Sequence, residues 1–167
     1  MIYASQKITP YLWFNDNAEE AMQLYTSLFL GSEIRSVTQH PEGPMEGKVL
    51  TAVFTLGGQE FMAMDGGPMF SFTEAISLFV RCEDQAEIDR LWAALSDGGE
   101  ELQCGWLKDR FGLAWQIIPA ELDELMGDPD PARRQRVMEA LLQMVKLDIA
   151  TLRAAADGQA SSPAATA

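Results

Sequence analysis

The chain is predicted to be an α+β protein built from two βαβββ modules followed by C-terminal helices. Three observations predict this. A strand pattern leads into an amphipathic helix and then into further strands, and the same order restarts in the second half of the chain. One shift of 67 residues carries Asn17 onto Asp84, Glu20 onto Glu87, and Ala21, Leu24, Tyr25 and Leu28 onto Ile88, Leu91, Trp92 and Leu95. The same shift lays Gly31-Ser32-Glu33 over Gly98-Gly99-Glu100. Cap, apolar stripe and stop agree at a single offset, which marks a duplicated unit.

The first module spans residues 5–66. Lys7–Phe14 alternates, with Ile8, Leu12 and Phe14 on one face, and predicts a strand. Asn15-Asp16-Asn17 ends it. Asn17 with Glu20 three residues on forms a capping-box pattern at the start of the first helix, which Gly31 ends. Strands are predicted over Ile34–Gln39, Val49–Leu56 and Gln59–Asp65. A Pro- and Gly-containing loop at 40–47 joins the first two, and a Gly57-Gly58 hairpin turn joins the last two. Gly66-Gly67-Pro68 punctuates the end of the module.

The second module spans residues 74–119. Ala75–Cys82 is an apolar strand, and Asp84 with Glu87 repeats the capping box. Glu101–Cys104, Gly105–Lys108 and Leu113–Ile118 are predicted strands, with Asp109–Gly112 as a tight turn. A helical appendage follows over 120–156. It comprises a short helix over Pro119–Met126, a longer one with Asp130 as cap and Pro131 at its first position, and a third over Lys146–Ala156. The tail, 157–167, rich in Ala, Ser and Gly, is predicted to be disordered.

Composition narrows the function classes. Against 12 basic residues stand 25 acidic ones, a formal net charge of −13, and the basic residues cluster only at Arg133, Arg134 and Arg136. Such a surface repels phosphate backbones and anionic lipid, so neither nucleic acid nor membrane is an expected partner. No stretch approaches the roughly 18 apolar residues of a membrane span, and Met1–Thr9 lacks the apolar core of a signal peptide. A cytoplasmic protein is expected. Cys82 and Cys104 have no metal-type spacing and are expected to be structural thiols.

Several strings resemble a known family. They are Ile8-Thr-Pro-Tyr-Leu-Trp-Phe14, Ala18-Glu-Glu-Ala21, Gly66-Gly67-Pro68, Glu74-Ala-Ile-Ser77, Cys82-Glu-Asp-Gln85 and Gly98-Gly99-Glu100, with Cys104-Gly-Trp-Leu-Lys-Asp109 the longest. Phe111-Gly112, Trp115-Gln116, Asp128-Pro-Asp-Pro131 and Val137-Met-Glu-Ala-Leu141 extend the match over roughly residues 5–155. Together they are similar to PhnB-like proteins of the vicinal-oxygen-chelate (glyoxalase/bleomycin-resistance) superfamily, which carry the label 3-demethylubiquinone-9 3-methyltransferase. Leu30-Gly31 departs from the Pro-Asn turn of many relatives.

The resemblance implies that each module curls its sheet into a half-barrel, often around a ligand cavity, and that the protein is a homodimer. It also implies where a metal would bind, near Pro10, Met64 or Asp65, Ala75 and Gln116. Those side chains make a poor ligand set, and His40 is the chain's one histidine, so no metal is expected. The methyltransferase label finds no support in the glycines. Gly57-Gly58 reads as a hairpin and Gly66-Gly67-Pro68 precedes a strand, so neither opens a helix as a nucleotide cradle would. No cofactor is expected.

The chemistry that remains is an aromatic and polar pocket for a small organic ligand. Trp13, Phe70, Phe72, Trp106 and Trp115 are its candidate walls, and His40, Asp65, Lys108 and Gln116 its candidate polar groups. The same aromatics also suit a filled core or a dimer interface. Three functions therefore stand: a metal-free small-molecule-binding homodimer, an enzyme of the same superfamily acting on a small molecule, and a structural protein with filled barrels.

Overall fold

The structure is a computed structural model and describes residues 4–159. It divides into two compact units, one ending at Thr73 and the other beginning at Glu74.

In the first unit, β1 (Tyr11–Phe14) leads into α1 (Ala18–Leu28), followed by β2 (Glu33–Gln39), β3 (Val49–Leu56) and β4 (Gln59–Asp65). The sheet order is β1-β4-β3-β2. β1 runs parallel to β4, and the other pairs are antiparallel. Strand alternation sorts the side chains onto two faces. Leu12, Phe14, Ala63, Ala52 and Phe54 meet Ala21, Met22 and Tyr25 of α1 in the core.

The second unit repeats this plan with β5 (Ser77–Cys82), α2 (Gln85–Ser96), β6 (Glu100–Glu101), β7 (Trp106–Lys108) and β8 (Ala114–Pro119), in the order β5-β8-β7-β6. β5 runs parallel to β8. Ile88, Leu91, Trp92 and Leu95 of α2 cover Leu107, Trp115 and Ile117. The duplicated strand–helix–strands order expected from the sequence is thus present in each unit, as two four-stranded mixed sheets with no closed barrel.

The appendage contains α3 (Leu122–Met126), α4 (Pro131–Leu141) and α5 (Ile149–Ala156). These helices share a small core of Val137, Leu152 and Ala156, flanked by Leu122, Leu125 and Leu141. Asp130 caps α4 through Ala132 N, 2.9 Å away, as its position before Pro131 predicts. The expected disordered tail, 157–167, lies outside the described residues from position 160 onward.

Four local expectations are corrected. The first strand begins at Tyr11, not Lys7, and Ile8 is 86% exposed. Pro10 has no N–H for a ladder, so pairing stops where its carbonyl accepts from Met62 N. Asn17 makes no side-chain cap; the N–H of Ala18 bonds instead to Asp65 Oδ1 at 2.8 Å. The predicted strand at 101–104 shrinks to β6, which ends at Glu101, and a turn follows, with Cys104 at φ 62° and Gly105 at φ 80°, closed by Trp106 N to Gln103 O. The third appendage helix starts at Ile149 rather than Lys146, because Asp148 caps it through Thr151 N.

Candidate functional site

In each sheet one face is closed by its helix, and the opposite face carries the exposed side chains. On the second sheet, register aligns Trp106 of β7 with Gln116 of β8, and Gln116 with Phe79 of β5. Leu78, Trp115 and Leu107 occupy the next row and face α2. Alternation therefore puts Trp106, Gln116 and Phe79 together on the face away from the helix. Phe79 is 60% exposed there, and Trp106 and Gln116 are half-buried. Gln116 Nε2 donates to Ser77 Oγ at 2.8 Å.

Lys108 lies on the same face. Its ammonium sits 2.5 Å from Glu74 Oε1 and 3.1 Å from Glu100 Oε2. The hydrogen bonds to Glu74 and then Glu100 push its pKa up, and the bond from Lys108 holds the Glu74 carboxyl below the usual carboxylate range. A lysine held this way keeps its proton and is not a base. Arg81, on β5 beyond Phe79, pairs with Asp123 at 3.6 Å.

On the first sheet, Tyr11, Trp13, Met62 and Met64 share the face away from α1. Trp13 donates its indole N–H to Gly67 O at 2.9 Å and meets Phe70 edge-on, with ring centroids 5.0 Å apart. Tyr11 donates its hydroxyl to Thr51 Oγ1 at 3.1 Å.

The remaining candidates stand elsewhere. Phe72 packs edge-on against Phe14, 5.2 Å between centroids. His40 follows β2, where its backbone N–H bonds Lys48 O and its carbonyl accepts from Gly47 N; its Nε2 is buried with no hydrogen-bond partner. Asp65 lies on the helix side, buried, its two oxygens accepting from Ala18 N at 2.8 Å and Val49 N at 2.9 Å. Trp115 is likewise in the core against α2. The structure therefore brings together Trp106, Lys108 and Gln116 on one sheet face and Trp13 with Phe70 on the other. It places Asp65 and Trp115 behind the sheets.

Phe79 and Ser77 belong with the first group and were not among the sequence candidates. Alternation within Ser77–Cys82 sets them apart from Leu78 and Val80. Their partnership with Gln116 needs the β5–β8 register, which no local pattern carries.

Two clefts lie away from these rows. One, of about 470 Å3, opens beside the start of α1 and includes Asp16, Glu19, Glu20, Glu46 and Lys48. The other, of about 260 Å3, includes Glu83, Asp84, Glu121, Asp148 and Arg153. Both are predominantly acidic. Among the described residues no group of three or more His, Cys, Asp or Glu is placed to hold a metal ion. The positions that the resemblance marks for a metal do not fit one either, since Asp65 is spent on two backbone N–H groups and Gln116 offers only a neutral amide oxygen. Among the described residues, no helix is long and apolar enough to cross a membrane.

The model of the 3-demethylubiquinone-9 3-methyltransferase family matches residues 6–118, across both repeats. The chain is 46% identical to a solved PhnB protein from Bacillus cereus that carries the same 3-demethylubiquinone-9 3-methyltransferase label, covering 69% of this chain and 100% of that one, with a TM-score of 0.66. A solved protein from Pseudomonas aeruginosa is 29% identical, with 69% and 98% coverage and a TM-score of 0.60. One from Staphylococcus aureus is 39% identical, with 68% and 96% coverage and a TM-score of 0.35. No curated protein matches the chain.

The reaction in the family's name calls for a nucleotide-type methyl donor, usually cradled where a glycine-rich turn opens a helix. The residues here do not fit such a cradle. Gly57-Gly58 joins β3 to β4, and the N-terminal ends of α1 and α2 are capped by the carboxylates of Asp65 and Asp84. Its sequence and its two-sheet fold nonetheless place the chain in the PhnB-like 3-demethylubiquinone-9 3-methyltransferase family.

Proposed function

We propose that this chain is a cytoplasmic homodimer of the vicinal-oxygen-chelate fold that binds a small organic molecule without a metal ion. The observation that carries the proposal is the uncovered row on the second sheet. In the single chain Phe79 stays 60% exposed beside an indole and an amide, so that face has room for an occupant. Aromatic walls with a few placed polar groups are what small-molecule sites are made of. The ligand-poor positions at Asp65 and Gln116 support binding without a metal. An exposed apolar row also suits partial burial in a dimer.

The test combines three measurements on the full chain. Light scattering after gel filtration is expected to give twice the chain mass. Elemental analysis of protein purified without chelators or metal columns is expected to show no stoichiometric divalent ion. A thermal-shift screen of small organic molecules is expected to yield stabilising ligands, whose linkage raises the melting point with concentration. A monomer, a bound stoichiometric metal, or a screen in which nothing stabilises the protein each overturns the corresponding part.

A further inference from the structure

We infer that the Trp106–Gln116–Phe79 row binds an uncharged, planar aromatic molecule that presents a hydrogen-bond donor and acceptor on one edge, such as a lactam or heteroaromatic amide. The inference rests on the small-molecule reading above and specifies its ligand class.

Spacing comes first. The three residues are direct cross-strand neighbours. Adjacent strands lie about 4.8 Å apart, so the two rings flank the amide across roughly 10 Å, the width of a one- or two-ring molecule. Aromatic rings at that spacing favour stacked or edge-on contact with a planar guest over a bulky aliphatic one.

The hydrogen-bond inventory comes second. Three of the four tryptophans spend the indole N–H within the protein: Trp13 on Gly67 O, Trp92 on Glu101 Oε1 and Trp115 on Asp109 Oδ2. Trp106 makes no such bond to any described residue. Gln116 uses one amide N–H on Ser77 and, among the described residues, keeps its carbonyl and second N–H. In either orientation that amide offers a donor and an acceptor. The row thus holds two apolar surfaces with unspent neutral hydrogen-bonding groups between them.

Charge comes third. The cations on this face are Lys108, between Glu74 and Glu100, and Arg81, beside Asp123. Lys108 is committed to two carboxylates, Arg81 lies beyond Phe79 at the end of β5 with Asp123 beside it, and the net charge of −13 disfavours an anion further. The row itself supplies no carboxylate for a cation.

The test uses the 15N-labelled full-length protein and its tryptophan indole N–H resonances, with that of Trp106 assigned by its loss in Trp106→Phe. The probes are quinolin-2(1H)-one, benzoate, benzylammonium and cyclohexanecarboxamide. Quinolin-2(1H)-one is expected to shift the Trp106 resonance in a saturable way and leave Trp92 and Trp115 in place. Phe79→Ala and Gln116→Met are each expected to weaken its binding about 3- to 10-fold, the loss of one stacking or hydrogen-bonding contact. Unchanged Trp92 and Trp115 resonances in each variant establish that it is folded; should Phe79→Ala not fold, Phe79→Leu replaces it. Binding that shifts Trp13 but not Trp106 overturns this site and leaves the small-molecule reading standing. Equal binding of benzoate, benzylammonium or cyclohexanecarboxamide overturns the ligand class. If none of the four binds, the inference falls, and the thermal-shift screen alone decides the broader proposal.

Discussion

Trp115 donates its indole N–H to Asp109 Oδ2 at 2.9 Å, and both residues are buried. The other oxygen of Asp109 accepts from Phe111 N at 2.9 Å and Leu113 N at 3.0 Å. One carboxylate thus closes the β7–β8 turn and anchors the core tryptophan of the strand that follows. Hydrogen bonds to a charged group contribute about 1.5–3 kcal/mol each, and removing a buried acceptor leaves its donors unpaired. Asp109→Ala is therefore expected to cost about 3 kcal/mol or more, whereas Trp115→Phe, which leaves the turn bonds intact, costs less. Urea denaturation of the two variants checks the order. Equal losses would show that the turn bonds contribute little.

A second prediction concerns the first sheet. A Cβ added at Gly66 would lie 2.2 Å from Cε2 and Cζ2 of Trp13. The ring would have to swing away, and with it would go the bond to Gly67 O and the edge contact with Phe70. Gly66→Ala is expected to destabilise by about 1–3 kcal/mol, the usual cost of overpacking, and to change the near-ultraviolet circular dichroism from Trp13. Gly43 has open space at its Cβ position but a φ of 90°. Gly43→Ala therefore serves as a control that strains the backbone without touching an aromatic ring. A near-ultraviolet change of the same size in that control would refute the ring-displacement account.

What the sequence made legible was whatever repeats along the chain. Val49–Leu56 and Gln59–Asp65 are strands at the boundaries read from alternation and the Gly57-Gly58 turn. Asp84 caps α2 through Glu87 N at 2.8 Å, as the capping box requires. Its counterpart Asn17 does not cap, because a carboxylate arriving from β4 takes the N–H of Ala18. That replacement depends on a contact 47 residues away, and no local pattern records it. The candidate site divides in the same manner. Trp106 and Gln116 were legible as polar and aromatic residues in strands, but Phe79 joins them only through parallel pairing of β5 with β8. Asp65 and Trp115 looked like pocket residues because type alone does not say which face of a strand a side chain occupies.

Glu60 gives a pH-dependent prediction. One of its oxygens accepts from Ser5 N at 2.8 Å, Ser5 Oγ at 3.0 Å and Gln6 N at 2.8 Å, and the other accepts from Arg35 at 2.7 Å. The Gln6 backbone N–H above all, with Ser5 and the Arg35 guanidinium, holds its carboxyl below the ordinary glutamate value. A depressed folded-state pKa means that the stabilisation is complete above the unfolded glutamate's pKa. It is lost as pH falls through the lower, folded value. Amide exchange at Ser5 and Gln6 is therefore expected to accelerate, relative to its intrinsic rate, as the solution is acidified through that range. Glu60→Gln is expected to show the faster relative exchange already at neutral pH. Protection at Ser5 and Gln6 that is unchanged in the variant would mean that the carboxylate does not tether this segment.

The two cysteines are expected to separate in reactivity. Cys82 ends β5 with its side chain buried, and that burial, reinforced by the nearby Glu87, pushes its thiol up to about 12. Cys104 is half-buried in the turn before β7. Since only the thiolate reacts, an alkylating reagent at neutral pH is expected to modify Cys104 in the folded protein and to reach Cys82 only on unfolding. Mass spectrometry of the native and urea-treated protein counts the modified thiols. The same shift has a consequence for stability. The folded state holds the Cys82 proton above the pKa at which the unfolded thiol loses it. Stability therefore falls as pH rises from the ordinary thiol value toward about 12. Cys82→Ala removes that slope, at the cost of a small cavity, while Cys104→Ala leaves it in place. Equal alkaline slopes in the wild type and Cys82→Ala would show that the buried thiol does not set the alkaline limit.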